Sequence, residues 1–268
     1  MKYTNCSIII PAYNEAKRLP HTLECILSFV QRRGWDAEII VVNDGSTDAT
    51  AEVVRSFSNH SPSVVLVDNY INQGKGKSIR DGVRRASCDI ILFTDADNST
   101  PIEDAEKLIA AIRDGVDIAI GSRWVDRKLQ VLPQPWYRRL NGRLYNLLLR
   151  TTLGLNFKDT QNGFKAFTRQ AAKAIFPQQR IVGWGFDAEV LYLAHNLGFS
   201  VREVPVEYTY CAEGSKIHPY RDGAKMLVEL FKVRWNALRG TYSTSEMQVR
   251  NSSEHFAKLP VQEGRPAE

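Results

Sequence analysis

Ile90-Ile91-Leu92-Phe93-Thr94-Asp95-Ala96-Asp97-Asn98 is an apolar run that ends in two carboxylates one residue apart. Four consecutive large apolar side chains fit a strand buried on both faces. Acids at its end put charge where burial is costly, unless the chain has reached an open sheet edge. Hard cations such as Mg²⁺ or Mn²⁺ take oxygen ligands, often one or two carboxylates completed by the phosphate oxygens of a substrate. The stretch therefore reads as a metal–diphosphate clamp at a strand's C-terminal end. Taken alone, the plainer reading is a solvated turn with an Asp capping the next helix, so the flanking sequence has to separate the two.

Outward from this strand, short β-branched runs alternate with helical patterns, which predicts a mostly parallel sheet flanked by helices. Ser7–Ile10, Glu38–Val42, Val64–Val67 and Ile118–Ile120 read as further strands. Leu19, Leu23, Ile26, Leu27 and Val30 mark one face of an intervening helix. Others are expected over about 48–57 and 75–86. Thr100-Pro101-Ile102-Glu103 has the form of a helix start, with Thr as N-cap, Pro at the first position and Glu at the third. Ligands of open α/β sheets bind beyond the carboxyl ends of the strands. Those exits carry Pro11-Ala12-Tyr13-Asn14-Glu15, Asp44, Asp95/Asp97 and Arg123, a convergence that favours a site over a turn.

The second half departs from strict alternation. After a Pro-broken loop at Leu132–Pro135, the segment 138–150 reads as an amphipathic helix with Leu140, Leu144, Leu147 and Leu148 on one face and Arg138, Arg139, Arg143 and Arg150 around it. Short helices are expected near 171–175 and 186–196, a strand over Val201–Tyr208 and a last amphipathic helix over about 220–238. The expected organisation is one domain over 1–240, followed by a flexible polar tail over 241–268.

Scattered cysteines without a C-x-x-C pair exclude a disulfide framework or structural zinc site and fit a reducing compartment. The five histidines show no ligand spacing. No signal peptide and no apolar run of the ~20 residues needed to cross a bilayer are visible. A net charge of +5 suits an anionic partner. Without an aromatic stacking platform or recognition helix, nucleic acid is not expected to be that partner.

Ile8-Ile9-Ile10-Pro11-Ala12-Tyr13-Asn14-Glu15, Val42-Asn43-Asp44-Gly45-Ser46-Thr47-Asp48, Asn72-x-Gly74-Lys75-Gly76 and Thr94-Asp95-Ala96-Asp97 occur in that order. Together they resemble the family 2 glycosyltransferases of GT-A fold. The resemblance continues through Gly121-Ser122-Arg123, Asp159-Thr160-Gln161-Asn162-Gly163-Phe164-Lys165, Phe186-Asp187-Ala188-Glu189 and Glu203-Val204-Pro205-Val206. The later set is most similar to the dolichyl-phosphate β-glucosyltransferases and less so to the mannosyltransferases.

The resemblance implies metal-dependent, inverting transfer of glucose from UDP-glucose to a polyprenyl (dolichyl-type) phosphate by a protein peripheral on the cytoplasmic face of a membrane. It implies that Pro11, Tyr13 and Glu15 line the nucleoside pocket, that Asp44 contacts base or ribose, and that Lys75 and Ala96 sit by the donor. It further implies that Asp95 and Asp97 hold Mg²⁺ or Mn²⁺, with Asp97 the closer ligand, and that Arg123 approaches the transferred phosphate or sugar. Asn98-Ser99 depart from the pair usual in either branch, which leaves a third metal ligand open.

The acceptor decides whether a base is needed. A hydroxyl requires one, whereas a phosphate monoester, with a second pKa of about 6, is already ionised and needs positioning. Arg138, Arg139 and Arg143 suit bidentate phosphate binding, and the amphipathic helices suit a membrane interface. Asp187 and Glu189 are the base candidates for a hydroxyl acceptor; with a phosphate they would orient the sugar or brace Arg123. Asp159 and Gln161 are expected on the acceptor-side wall, with Lys216 in a loop over the site. The alternatives are the same fold using GDP-mannose or a hydroxyl acceptor, and a non-catalytic nucleotide-sugar binding module.

Overall fold

A computed structural model of the chain describes residues 4–132, 136–209 and 219–242, of which 127, 132, 136–141, 143 and 219–221 are described by backbone alone. The element order is β1 (Asn5–Ala12), α1 (Leu19–Arg33), β2 (Asp36–Asp44), α2 (Thr50–His60), β3 (Val64–Asn69), α3 (Lys75–Arg85) and β4 (Ile90–Phe93). There follow α4 (Ala105–Arg113), β5 (Ile118–Ser122), β6 (Gln130–Leu132), α5 (Trp136–Leu153), β7 (Lys165–Thr168) and α6 (Arg169–Ile175). The last elements are α7 (Phe186–Asn196), β8 (Val201–Pro205), β9 (Tyr208–Thr209) and α8 (Pro219–Leu238).

Seven strands form the main sheet in the order β3-β2-β1-β4-β7-β5-β8. Because successive side chains of a strand face opposite ways, apolar runs such as Ile8-Ile9-Ile10 supply both faces at once. Ile9, Ile40, Val42, Ile91, Phe93 and Ile120 pack beneath α3 and α5 to α8. Ile8, Ile10, Ile39, Val41 and Leu92 pack beneath α1, α2 and α4. The chain adds β2 and β3 on one side of β1 and then returns to place β4 on the other. That reversal leaves a crevice beyond the carboxyl ends of β1 and β4. Asp95 and Asp97 follow β4 into it.

Four expectations are corrected. β7, unseen in the sequence, runs antiparallel between β4 and β5, with Lys165 opposite Phe93 and Ile120. A lysine at the head of so short a strand, KAFT, hid it from a hydrophobic pattern. Thr100 does not cap a helix. Pro101 itself, at ψ 139°, precedes a 3₁₀ turn over Ile102–Asp104, and the α-helix begins only at Ala105. The strand over 201–208 divides at Val206-Glu207, where the Glu207 amide donates to Asp104 (2.6 Å) and β9 leaves to pair with β6. The tail does not begin at 241. Tyr242 is buried, sets its ring at a tilt to that of Tyr192, and donates to Glu189 (2.7 Å). Residues 243–268 lie outside the described residues.

Both amphipathic helices pack on the core and on each other, α5 through Tyr145, Leu149 and Leu153 and α8 through Leu230 and Val233. Each keeps a second apolar strip outside. Leu144 and Leu147 on α5, and Val228, Phe231, Trp235 and Leu238 on α8, are 55% to 69% exposed.

Candidate active site

The two acids leave β4 in different company. Thr94 N still donates to Ile9 O (3.0 Å), extending the sheet contact by one residue and delivering Asp95 to the edge. Asp95 Oδ1 accepts from Lys75 Nζ (2.5 Å), the first residue of α3. A Cβ built on Gly163 would overlap the Asp95 carboxylate, so only glycine leaves that carboxylate its place. Burial alone would raise the Asp95 carboxyl, but Lys75, with Lys165 and Arg123 behind it, outweighs burial and holds it below the usual range. For Lys75, burial opposes the charge, yet Asp95, Asp187 and Asp97 together raise its pKa. The ammonium also lies 5.5 Å from the centroid of the Trp184 ring, a cation–π arrangement.

Asp97 is held by its own turn. Its Oδ1 accepts from Ser99 N (3.0 Å) and Ser99 Oγ (2.6 Å), while Asn98 takes a left-handed φ of 53°. Its Oδ2 is 3.8 Å from Arg18, whose main partner is Glu15. Beneath the turn, the buried Ala96 offers its carbonyl to Thr22 Oγ1 (2.8 Å).

The exits of β1 and β2 are laced together beside this turn. Asn14, also left-handed at φ 53°, receives Thr47 N on its side chain (2.8 Å) and donates its own amide to Ser46 Oγ (2.9 Å). Pro11 and Ala12 end β1, and Tyr13 stands part-exposed between the two loops. Glu15, expected at a nucleoside, spends its carboxylate on Arg18. Asp44, expected at base or ribose, accepts from Gln73 N (2.9 Å) and Gly74 N (2.8 Å). Both acids thus fix the frame of the crevice. Asp44 holds the loop that carries Lys75, where Gly74 needs its φ of 103° to pass the Val182 carbonyl.

On the far side stand two buried ion pairs. Arg123 is turned to Asp159, with Nε to Oδ2 at 2.7 Å, Nη2 to Oδ1 at 2.8 Å, and its backbone amide on Oδ2 at 3.0 Å. Its guanidinium also lies over the Tyr208 ring. Asp159, in the loop before β7, thus supplies the anion that a buried guanidinium needs. The second pair, Lys165 Nζ to Asp187 Oδ1 (2.5 Å), is almost fully enclosed. Burial raises the Asp187 carboxyl, against the pull of Lys165 and Lys75. Glu189 is no base. It lies fully buried, accepting from Arg180 N, Ile181 N and the Tyr242 hydroxyl. Sequence reasoning gave no role to Lys165, Gly163 or Trp184. The usable signal was present, since a lysine entering an apolar strand requires a buried acid.

Gln161 lies between these pairs. Among the described residues, its Nε2 and the hydroxyl of Tyr145 on α5 are buried without a hydrogen-bond partner. Arg138, Arg139 and Arg143 fall on α5, where the backbone alone is described, and Lys216 lies outside the described residues.

The Asp159 pair carries a pH signature. Burial alone would raise the Asp159 carboxyl, but Arg123 outweighs it and holds the group low. A carboxylate depressed in the folded state adds stability that is complete above its unfolded pKa of about 4 and fades as pH falls through the folded value. Asp159→Asn should therefore lower the thermal midpoint at pH 7, and its gap to the parent should narrow as pH drops below about 4. A gap of constant size would remove the pair from this role.

Comparison with known proteins bears on this arrangement. Residues 7–176 match the family described as glycosyl transferase family 2. The dolichyl-phosphate beta-glucosyltransferase of Dictyostelium discoideum is 34% identical over 249 residues, which cover 88% of this chain and 76% of that protein. Its counterpart in Drosophila melanogaster is 35% identical over 259 residues, 91% of this chain and 78% of that one. The protein of the same name in Homo sapiens is 33% identical over 258 residues, 91% and 79%. Among solved structures, glucosyl-3-phosphoglycerate synthase from Mycobacterium tuberculosis, in complex with Mn²⁺, UDP and glucosyl-3-phosphoglycerate, superposes with a TM-score of 0.65 at 19% identity. That superposition covers 87% of this chain and 80% of that one, a likeness of fold.

Proposed function

The chain belongs to glycosyltransferase family 2, and from that premise we propose that it moves glucose from UDP-glucose to a polyprenyl phosphate of dolichyl type, with inversion and with Mg²⁺ or Mn²⁺. The relatives named dolichyl-phosphate beta-glucosyltransferase, matched over most of both chains, support glucose as the sugar and a dolichyl-type phosphate as the acceptor.

One structural observation carries the choice of acceptor. Among the described residues, each carboxylate of the crevice already has a hydrogen-bond donor or cation: Asp95 has Lys75, Asp97 has Ser99, Asp159 has Arg123 and Asp187 has Lys165. Glu189 is enclosed with three donors. A hydroxyl acceptor needs a general base to take its proton. An ionised phosphate does not, and a site whose acids are engaged suits it.

The metal fits the residues present. Two carboxylates at one strand exit form a hard-oxygen donor set, and no group of three His, Cys, Asp or Glu among the described residues makes a protein-only site. That is the arrangement of a divalent cation completed by diphosphate and water. Bound there, Mg²⁺ or Mn²⁺ would neutralise charge on the departing nucleoside diphosphate. Lys75 adds a fixed positive charge beside Asp95, preorganised by the Asp44-held loop. In this reading Asp187, held by Lys165, accepts from a sugar hydroxyl rather than removing a proton.

The proposed acceptor has an anionic head and a long apolar chain. Arg138, Arg139 and Arg143 precede the exposed Leu144 and Leu147 along α5, and α8 adds its own exposed strip. Charge next to an apolar face suits a head group at a membrane interface. No helix among the described residues is long and apolar enough to cross a membrane. The reading is therefore peripheral attachment, on the cytoplasmic face.

The test offers purified protein Mn²⁺ or Mg²⁺, labelled UDP-glucose or GDP-mannose, and a polyprenyl phosphate. Glucose should enter the lipid phase from UDP-glucose. Transfer from GDP-mannose alone would reassign the donor. Tight UDP binding with no transfer to any acceptor would make the chain a binding module.

A further inference from the structure

Helix α8 sends Glu229 towards the crevice. Glu229 reaches the turn Gly183-Trp184-Gly185, where its Oε2 accepts from Gly185 N (2.7 Å). A Cβ on either glycine would overlap this carboxylate, so the two glycines form the saddle in which it lies. Between them stands Trp184, whose ring faces the Lys75 ammonium. Lys75 in turn holds Asp95.

The segment that carries this turn is gripped at three points. Glu189 on α7 takes Arg180 N and Ile181 N, and the Val182 carbonyl accepts from Gly76 N (2.8 Å) at the start of α3. Glu229 supplies the third grip, and it alone comes from the outer helix. Its neighbours Leu230 and Val233 are buried, whereas Val228 and Phe231 belong to the exposed strip. A carboxylate is costly to bring against a turn unless it finds a donor there. Glycines at 183 and 185, one on each side of Trp184, make room for it.

We propose that Glu229 is a positioning residue of the donor site: through the Gly183–Gly185 turn it sets Trp184 against Lys75, and Lys75 against Asp95, so that the seating of α8 governs how the nucleotide-sugar diphosphate is held. This rests on the reading of Lys75 and Asp95 as the donor site. Glu229 touches neither substrate nor metal in this account. It acts through the turn.

The experiment compares the parent with Glu229→Ala, Glu229→Gln, Trp184→Leu and the double variant Glu229→Ala/Trp184→Leu. Each is measured for thermal midpoint, for UDP affinity in the presence of Mn²⁺, and for donor KM, acceptor KM and kcat. Glu229→Ala should raise donor KM and weaken UDP binding about tenfold, the scale of one hydrogen bond to a charged group. Acceptor KM should stay within about twofold of the parent. Glu229→Gln keeps an oxygen for Gly185 N and should recover most of the loss. Because both residues act through one contact, the double variant should be no worse than the poorer single. Losses that add in the double variant, a Gln variant no better than Ala, or donor binding equal to the parent's would overturn the inference while leaving the donor site standing. A parent that binds no UDP would overturn the donor-site reading, and this inference with it.

Discussion

Asp97→Ala is expected to cut glucosyl transfer about a thousandfold or more while the protein stays folded. The size follows from the several kcal/mol that a bound divalent ion contributes as a Lewis acid, at about 1.4 kcal/mol for each factor of ten in rate. The selectivity follows from the structure. Among the described residues, Asp97 bonds to Ser99 within its own turn and lies 3.8 Å from Arg18, which keeps Glu15 as its partner, so its removal strands no buried cation. Asp95→Ala is a poorer probe, since it also leaves the Lys75 ammonium without its hydrogen-bonded acid. Transfer rate at saturating Mn²⁺ and a thermal melt check the expectation together. A variant that melts like the parent and transfers at the parent's rate contradicts the role given to this acid.

Lys165→Met is expected to have the largest effect on stability, about 3–5 kcal/mol, because it leaves Asp187 enclosed without its cation. In a domain of this size that lowers the thermal midpoint by on the order of 10 °C. The deficit should depend on pH, and the sign is fixed by the direction of the shift. Burial already raises the Asp187 carboxyl, and without Lys165 its folded pKa rises further above the unfolded value. The native state then binds the extra proton, so the variant gains stability relative to the parent as pH falls towards about 4. Replacing both partners by apolar residues, Lys165→Met with Asp187→Leu, should recover much of the stability, since a well-packed apolar pair often replaces a buried ion pair at little cost. It should not recover transfer, because Asp187 is the group proposed to hold a sugar hydroxyl. A single variant as stable as the parent at pH 7 would show that the pair is not what encloses Asp187.

How far the sequence could be read follows from where its physics is local. Ile8–Ile10, Ile39–Val42 and Ile90–Phe93 are apolar on both faces because the sheet is covered on both, so those strands and the acids at their exits are visible in one dimension. Helix α7 was legible to the residue, and α8 to within one. What could not be read was partnership. Arg123 was visible as a cation at a strand exit, but its acid lies 36 positions on in a loop with no periodicity. For Asp44, nothing local says that two amides of the Gln73–Gly74 loop fold over it. β7 was lost because its lysine, which a hydrophobic pattern rejects, is admitted by Asp187 from another element. In its packing, helix α8 was legible only as amphipathic, whereas the fold buries Leu230 and Val233 and leaves Phe231 and Trp235 exposed.

The central claim is that Asp95 and Asp97 hold a divalent ion against the diphosphate of an activated sugar. Titration of UDP into the parent and into Asp97→Ala, each with and without Mn²⁺, tests it most directly. The account predicts that Mn²⁺ tightens UDP binding to the parent by at least about tenfold and does nothing for the variant. UDP affinity that is the same with and without Mn²⁺ in the parent, or a variant that responds to Mn²⁺ as the parent does, would contradict it.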